Sequence, residues 1–128
     1  MRRTLSVIVV GLTTVLTLAF GSGTALAGTN VIVDSTNGSA QTQFYAYGEQ
    51  LYACDTKADG LRAWAIAEWT TGGVHYEVWV ADTDGANNNC AGHANLSIPE
   101  GVSVRVWACA SQGASGAFQY CAYKYATA

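Results

Sequence analysis

Apolar and polar residues alternate along most of this chain with a period of two. Leu61 to Thr70 runs Leu-Arg-Ala-Trp-Ala-Ile-Ala-Glu-Trp-Thr, and Val74 to Ala81, Val102 to Ala110 and Phe118 to Tyr125 read in the same way. Side chains of an extended chain point to opposite faces in turn, so this period predicts strands. Val31–Asp34, Phe44–Tyr47 and Leu51–Cys54 are shorter candidates, the last two separated by Gly48, and Asn95–Ile98 is another, closing at Pro99-Glu-Gly101. Ser35 to Thr42 is polar and contains Asn37-Gly38, which predicts a loop or flexible arm. No stretch beyond Ala27 has helix-length 3.6 periodicity. About seven short strands with turn signals between them predict an all-β domain, a small Ig-like Greek-key β-sandwich.

Two hairpins can be read for register. Thr71-Gly72-Gly73-Val74 offers a two-residue turn in which both central residues tolerate positive φ, as a type I′ turn requires. One face of that hairpin then carries Leu61, Ala63, Ala65, Ala67, Trp69, Tyr76, Val78 and Val80. The other carries Arg62, Trp64, Ile66, Glu68, Thr70, His75, Glu77 and Trp79, so every charged residue falls on one side. A slip of one residue would mix the two sets; the chosen register sets Glu68 opposite Glu77. The second hairpin turns through Gln112 to Gly116. Placing Cys109 opposite Cys121 sets Trp107 against Tyr123 and Arg105 against Tyr125, with Val104, Val106, Ala108, Tyr120 and Ala122 on the core side.

The first residues change the picture of where the chain works. Met1-Arg2-Arg3, an apolar run from Leu5 to Phe20 and an Ala-x-Ala site at Ala25/Ala27 read as a removable signal peptide over residues 1–27. Residues 28–43 are then an N-terminal arm or first strand, and 44–128 the sandwich. Cleavage removes two of the six basic residues and none of the nine acidic ones, leaving four basic against nine acidic, net −5. A mildly acidic domain is a poor match for nucleic acid or anionic lipid. No second apolar run exists to hold the product on a membrane after cleavage, so the expected location is extracellular.

Cys54, Cys90, Cys109 and Cys121 all follow the cleavage site. An even count in a short exported chain reads as two disulfides, whereas a zinc site would want paired spacings that His75 and His93 do not supply. The hairpin register favours Cys109–Cys121, which leaves Cys54–Cys90.

Candidate chemistry is sparse, and no enzyme activity, metal or cofactor is expected. Ser115 sits in a turn that is not a nucleophile elbow, and His75 beside Glu77 has no nucleophile near it. Asp55 to Gly60 and Asp82 to Gly85 resemble calcium loops only loosely: Lys57 stands where a ligand oxygen is needed, and no Glu closes the second. Both read as Asp-Gly turns. Asn37 and Asn95 begin short glycosylation sequons. The strongest feature is a face. If the two hairpins share a sheet, Trp64, Ile66, Trp79, Trp107, Tyr123, Tyr125 and Arg105 share its outer surface, and such Trp/Tyr/Arg clusters are characteristic of binding hot spots.

Cys54-Asp-Thr-Lys-Ala-Asp-Gly60, Trp69, Val80-Ala-Asp-Thr-Asp-Gly-Ala86 to Cys90, Ile98-Pro-Glu-Gly101 and Val104-Arg-Val-Trp-Ala-Cys109 resemble a set of small exported actinobacterial four-cysteine proteins. The resemblance covers roughly Leu51 to Tyr125. That set is similar to the small adaptor subunits (UmbB) of umbrella toxin particles. The resemblance implies a non-enzymatic linker between subunits of an extracellular toxin complex, with the arm from Gly28 to Thr42 contacting the large subunit. The expected partner is another secreted protein or protein assembly. The competing expectations are an inhibitor of a secreted hydrolase, acting through a loop from Ala86 to Asn95, and a small carbohydrate-binding module that uses the exposed tryptophans.

Overall fold

The computed structural model describes residues 27–93 and 95–128; the segment read as a signal peptide, Ala27 apart, lies outside the described residues. Eight strands form: β1 (Val31–Asp34), β2 (Ala40–Tyr45), β3 (Gln50–Asp55), β4 (Arg62–Thr71), β5 (Val74–Asp82), β6 (Cys90–His93), β7 (Ser103–Ser111) and β8 (Gln119–Thr127). They make two four-stranded antiparallel sheets, ordered β1-β2-β3-β6 and β5-β4-β7-β8. The second has the C′-C-F-G order of an Ig-like sandwich.

The alternation read from the sequence sets which side chains go between the sheets. Ala63, Ala65, Ala67 and Trp69 of β4 and Val104, Val106, Ala108 and Ala110 of β7 are buried against Val33, Phe44, Leu51 and Ala53 of the facing sheet. Small alanines at the centre of β4 and β7 make room for the two large side chains, Phe44 and Leu51. Thr42 is also fully buried, and its hydroxyl donates to the Trp107 carbonyl in the opposite layer at 2.8 Å. That satisfies a polar group which would otherwise oppose burial.

Both predicted registers form. β4 and β5 pair so that Ile66 faces Trp79 and Glu68 faces Glu77. Gly72 and Gly73 have φ of 57° and 76°, as the two-residue turn demands. β7 and β8 pair Trp107 with Tyr123 and Arg105 with Tyr125, then shift by one residue between Ala108 and Ala110. The extra residue is accommodated by a bulge in which Tyr120 takes φ 57°. The disulfides are Cys54–Cys90 and Cys109–Cys121. Each joins neighbouring strands of one sheet; neither crosses between the layers as the bridge of antibody domains does.

Four expectations need correction. Ser35 to Thr42, read as a loop or flexible arm, is a loop only as far as Ser39: residues 35–39 make a tight turn and β2 starts at Ala40. Asn37 Oδ1 accepts from the Ser35 hydroxyl, the Ser39 hydroxyl and the Ser39 amide, so the turn is closed by its own side chains. Of the two readings of residues 28–43, arm or first strand, β1 at Val31–Asp34 is the first strand, and Val33, Ala40 and Thr42 are core. Asn95–Ile98 is not a strand. Asn95 and Ser97 adopt φ of 57° and 59°, and the segment pushes Leu96 and Ile98 into the core while bonding to the turn at Gly48 and Glu49. The strand in this region is β6, just before it. Tyr76 belongs to the inner face by register, but β5 is an edge strand that overhangs the core, so Tyr76 is exposed and stacks flat on Trp69 at 5.5 Å. Tyr120, placed on the core side, is exposed because the bulge turns it out.

Candidate partner-binding face

Strand register assembles the outer face of the β5-β4-β7-β8 sheet row by row. One row runs Trp79, Ile66, Trp107, Tyr123; the next runs Glu77, Glu68, Arg105, Tyr125. Trp64 flanks the first row, beside Cys109. All seven residues expected to bind a partner thus lie on one surface. They are not equally accessible. Tyr125 is 60 % exposed, Trp79 53 % and Tyr123 48 %, while Trp64, Arg105 and Trp107 are half-buried. Ile66 is 6 % exposed, roofed by the indoles on either side, so it supports the face without presenting much of itself.

The aromatic rings hold one another. Trp64 meets Trp79 edge-on at 6.3 Å, and Phe118 packs against both, at 5.4 Å and 5.1 Å. Trp107 lies 4.5 Å from Tyr123, which meets Tyr125 edge-on at 5.8 Å. The Trp64 indole donates to the Ser111 hydroxyl at 2.8 Å. Phe118 is a member of the cluster that alternation alone misplaces: strict period two puts it on the core side with Tyr120 and Ala122, and the bulge at Tyr120 breaks that parity. Ile66, Trp79, Trp107 and Phe118 line a shallow cavity of about 330 Å³, with Glu68, Glu77 and Arg105 on its rim.

The electrostatics centre on Glu68. Arg105 Nε donates to its Oε1, as does the Trp107 indole N–H at 2.7 Å, and His75 Nε2 stands 3.6 Å from Oε2. Burial works against the carboxylate, but the hydrogen bonds from Arg105 and Trp107 together with the charge of Arg105 outweigh it and hold the Glu68 pKa below its ordinary value. The Arg105 guanidinium also lies over the Trp107 and Tyr123 rings, 5.1 Å and 5.6 Å from their centroids. Glu77, across from Glu68, is exposed and has no ion-pair partner among the described residues.

In the Asp-Gly segments the carboxylates of Asp55, Asp59 and Asp82 accept from nearby backbone amides. Asp55 Oδ1 accepts from the Lys57 amide and Asp59 Oδ1 from the Leu61 amide. Asp82 accepts from the amides of Asp55 and Asp84, tying the end of β5 to the end of β3. Among the described residues no three His, Cys, Asp or Glu side chains gather as a metal-binding group, and no helix is long and apolar enough to cross a membrane. The two disulfides suit an oxidising environment. No protein-family model, curated protein or solved structure matches this chain.

Proposed function

We propose that this is a secreted, non-enzymatic binding module that docks another extracellular protein on the outer face of the β5-β4-β7-β8 sheet. The observation that carries the reading is the fixed array of Trp79, Trp107, Tyr123 and Tyr125 around the Glu68–Arg105 pair. Rigid aromatic side chains bury large area at small entropic cost, and an arginine already held by a carboxylate is preorganised for contact. The unpaired Glu77 on the rim favours a partner that brings a basic side chain. An adaptor role in an extracellular toxin complex is the specific form suggested by the resemblance to small exported adaptor subunits. The contact surface in this reading is the aromatic face. The 28–42 segment is a poorer choice, since Val33, Ala40 and Thr42 are committed to the core.

The test is co-purification from culture supernatant with the wild type, a Trp79→Ala/Tyr125→Ala variant and a control, Glu100→Ala, at an exposed position in the turn before β7. A larger secreted protein retained by wild type and control, and lost by the double variant at unchanged melting temperature, supports docking here. Retention by all three places the contact elsewhere, and a glycan in place of a protein would favour the carbohydrate-binding alternative.

A further inference from the structure

The opposite face of the sandwich carries a second, chemically different arrangement. Along the outer surface of the β1-β2-β3-β6 sheet, Asp34 Oδ1 accepts from Gln41 Nε2 at 2.9 Å, Gln41 Oε1 accepts from Gln43 Nε2 at 2.9 Å, and Gln43 Oε1 accepts from the Tyr45 hydroxyl at 3.1 Å. The orientation of each carboxamide follows from the one before it, because the Asp34 carboxylate can only accept. On β3 the Tyr52 hydroxyl donates to Gln50 Oε1 at 3.3 Å, and the Tyr45 and Tyr52 rings meet edge-on at 6.1 Å.

Gly92 of β6 completes the platform. A Cβ there would stand 2.3 Å from the Tyr52 ring, so the ring lies against bare backbone, and the glycine is what lets it do so. Beside these side chains a trough of about 290 Å³ shares Gln43, Asn88, Asn89 and Cys90 with one of about 480 Å³, and Cys54 joins the lining of the narrower one.

The wider trough is lined by Gln43, Tyr45, Gln50, Tyr52, Asn88, Asn89 and Cys90, with no carboxylate, ammonium or guanidinium among them; in the narrower part Asp55 is the one charged side chain, and its Oδ1 already accepts from the Lys57 amide. That chemistry does not suit phosphate, nucleic acid or a charged peptide. A carboxamide offers a donor and an acceptor side by side, which matches adjacent sugar hydroxyls that each donate and accept. The tyrosine rings add apolar surface for the C–H face of a pyranose. The side chains are already held by their mutual hydrogen bonds, so little ordering remains to oppose a weakly bound ligand.

We propose that this trough is a binding site for a neutral oligosaccharide, separate from the aromatic face and independent of what docks there. The test is titration of the folded protein with neutral oligosaccharides of glucose, N-acetylglucosamine, mannose and galactose, followed by calorimetry and by the side-chain amide signals of Gln41, Gln43 and Gln50 in nitrogen–proton spectra. A saturable shift of those signals, insensitive to salt, is the expected result. Gln43→Ala and Tyr45→Ala should each weaken binding by about tenfold or more, the scale of one lost hydrogen-bonding or stacking contact in a small site. Trp79→Ala should leave it unchanged. Gln50→Ala is the reserve variant if either of the first two fails to fold. No saturable shift with any of these sugars overturns the proposal. So does salt-sensitive binding confined to charged glycans, or binding lost with Trp79→Ala and kept with Gln43→Ala.

Discussion

Glu68 and Arg105 stand directly opposite each other on β4 and β7, and the guanidinium Nε donates to the carboxylate. The Trp107 indole donates to the same oxygen, so one carboxylate orders both the cation and the ring of the proposed docking face. Because the folded state holds the Glu68 pKa below the ordinary 4.5, the carboxylate contributes stability above that value and loses it as pH falls through the lowered one. Glu68→Gln should cost about 1–2 kcal/mol near neutral pH, the scale of charge-assisted hydrogen bonds. Urea melts across the acid range should show the curves of the wild type and the Glu68→Gln variant converging at low pH. Parallel curves throughout would refute the linkage.

Asp82 has the opposite sign. Burial raises its pKa above the ordinary 3.8, and with Asp84 next to it, Asp82 is the one that holds its proton longer. The folded chain therefore binds this proton more tightly than the unfolded one, and its contribution to stability falls as pH rises from 3.8 through the raised value. Asp82→Ala strips the Asp55 and Asp84 amides of their acceptor. A net loss of about 1–3 kcal/mol near neutral pH is expected, less than the sum of two bonds because a buried charge also disappears. Faster amide exchange at Asp55 would locate the effect at the end of β3.

The bridges should differ in worth. Cys54 and Cys90 are 36 residues apart, Cys109 and Cys121 only 12. Closing those loops in the unfolded chain corresponds to roughly 4 and 3 kcal/mol in the chain-entropy model. Replacing each pair by alanines and comparing denaturant midpoints should show the larger loss for Cys54/Cys90. Equal or reversed losses would mean that native packing, not loop length, dominates.

Gly92 and Tyr52 should be coupled. Gly92→Ala alone must push the Tyr52 ring aside and should destabilise by about 1–2 kcal/mol, as overpacking does. In a Tyr52→Ala background the same change should be nearly neutral. A double-mutant cycle that returns no coupling energy would mean that the ring does not rest on the glycine in solution.

Where side chains alternate strictly, the fold is legible in the sequence. The turn at Gly72-Gly73 and the segregation of charge together determine the β4–β5 register. The Cys109–Cys121 reading likewise sets the β7–β8 register up to the bulge at Tyr120. The aromatic face follows from those two hairpins sharing a sheet. What stays hidden depends on partners distant in the chain. Ala40 to Thr42 reads as part of a loop because it follows a polar turn and includes Gln41, while Phe44 is read as the start of a strand; the inward set of Ala40, Thr42 and Phe44 reads as core only once a facing sheet exists. β6 contains Cys-Ala-Gly-His, with no β-branched residue, and is held extended by β3 and the Cys54 bridge. The apolar pair Leu96 and Ile98 suggests a strand but reaches the core through two residues at positive φ. The carboxamide row on the far face stays hidden because Gln41, Gln43 and Tyr45 are alternate residues of one strand whose first half reads as a loop, and the row reaches Asp34 of β1 and Tyr52 of β3 only through strand pairing.

Both covalent links close within a sheet, and their loops follow one another along the chain without nesting or crossing. Assembly can therefore run in order. A chain emerging amino end first has all four strands of the β1-β2-β3-β6 sheet by His93, and can join Cys54 to Cys90 before Cys109 is available to compete for either. The only other cysteine then still to come after Cys109 is its own partner, so order of arrival by itself favours the observed pairing over the two alternatives.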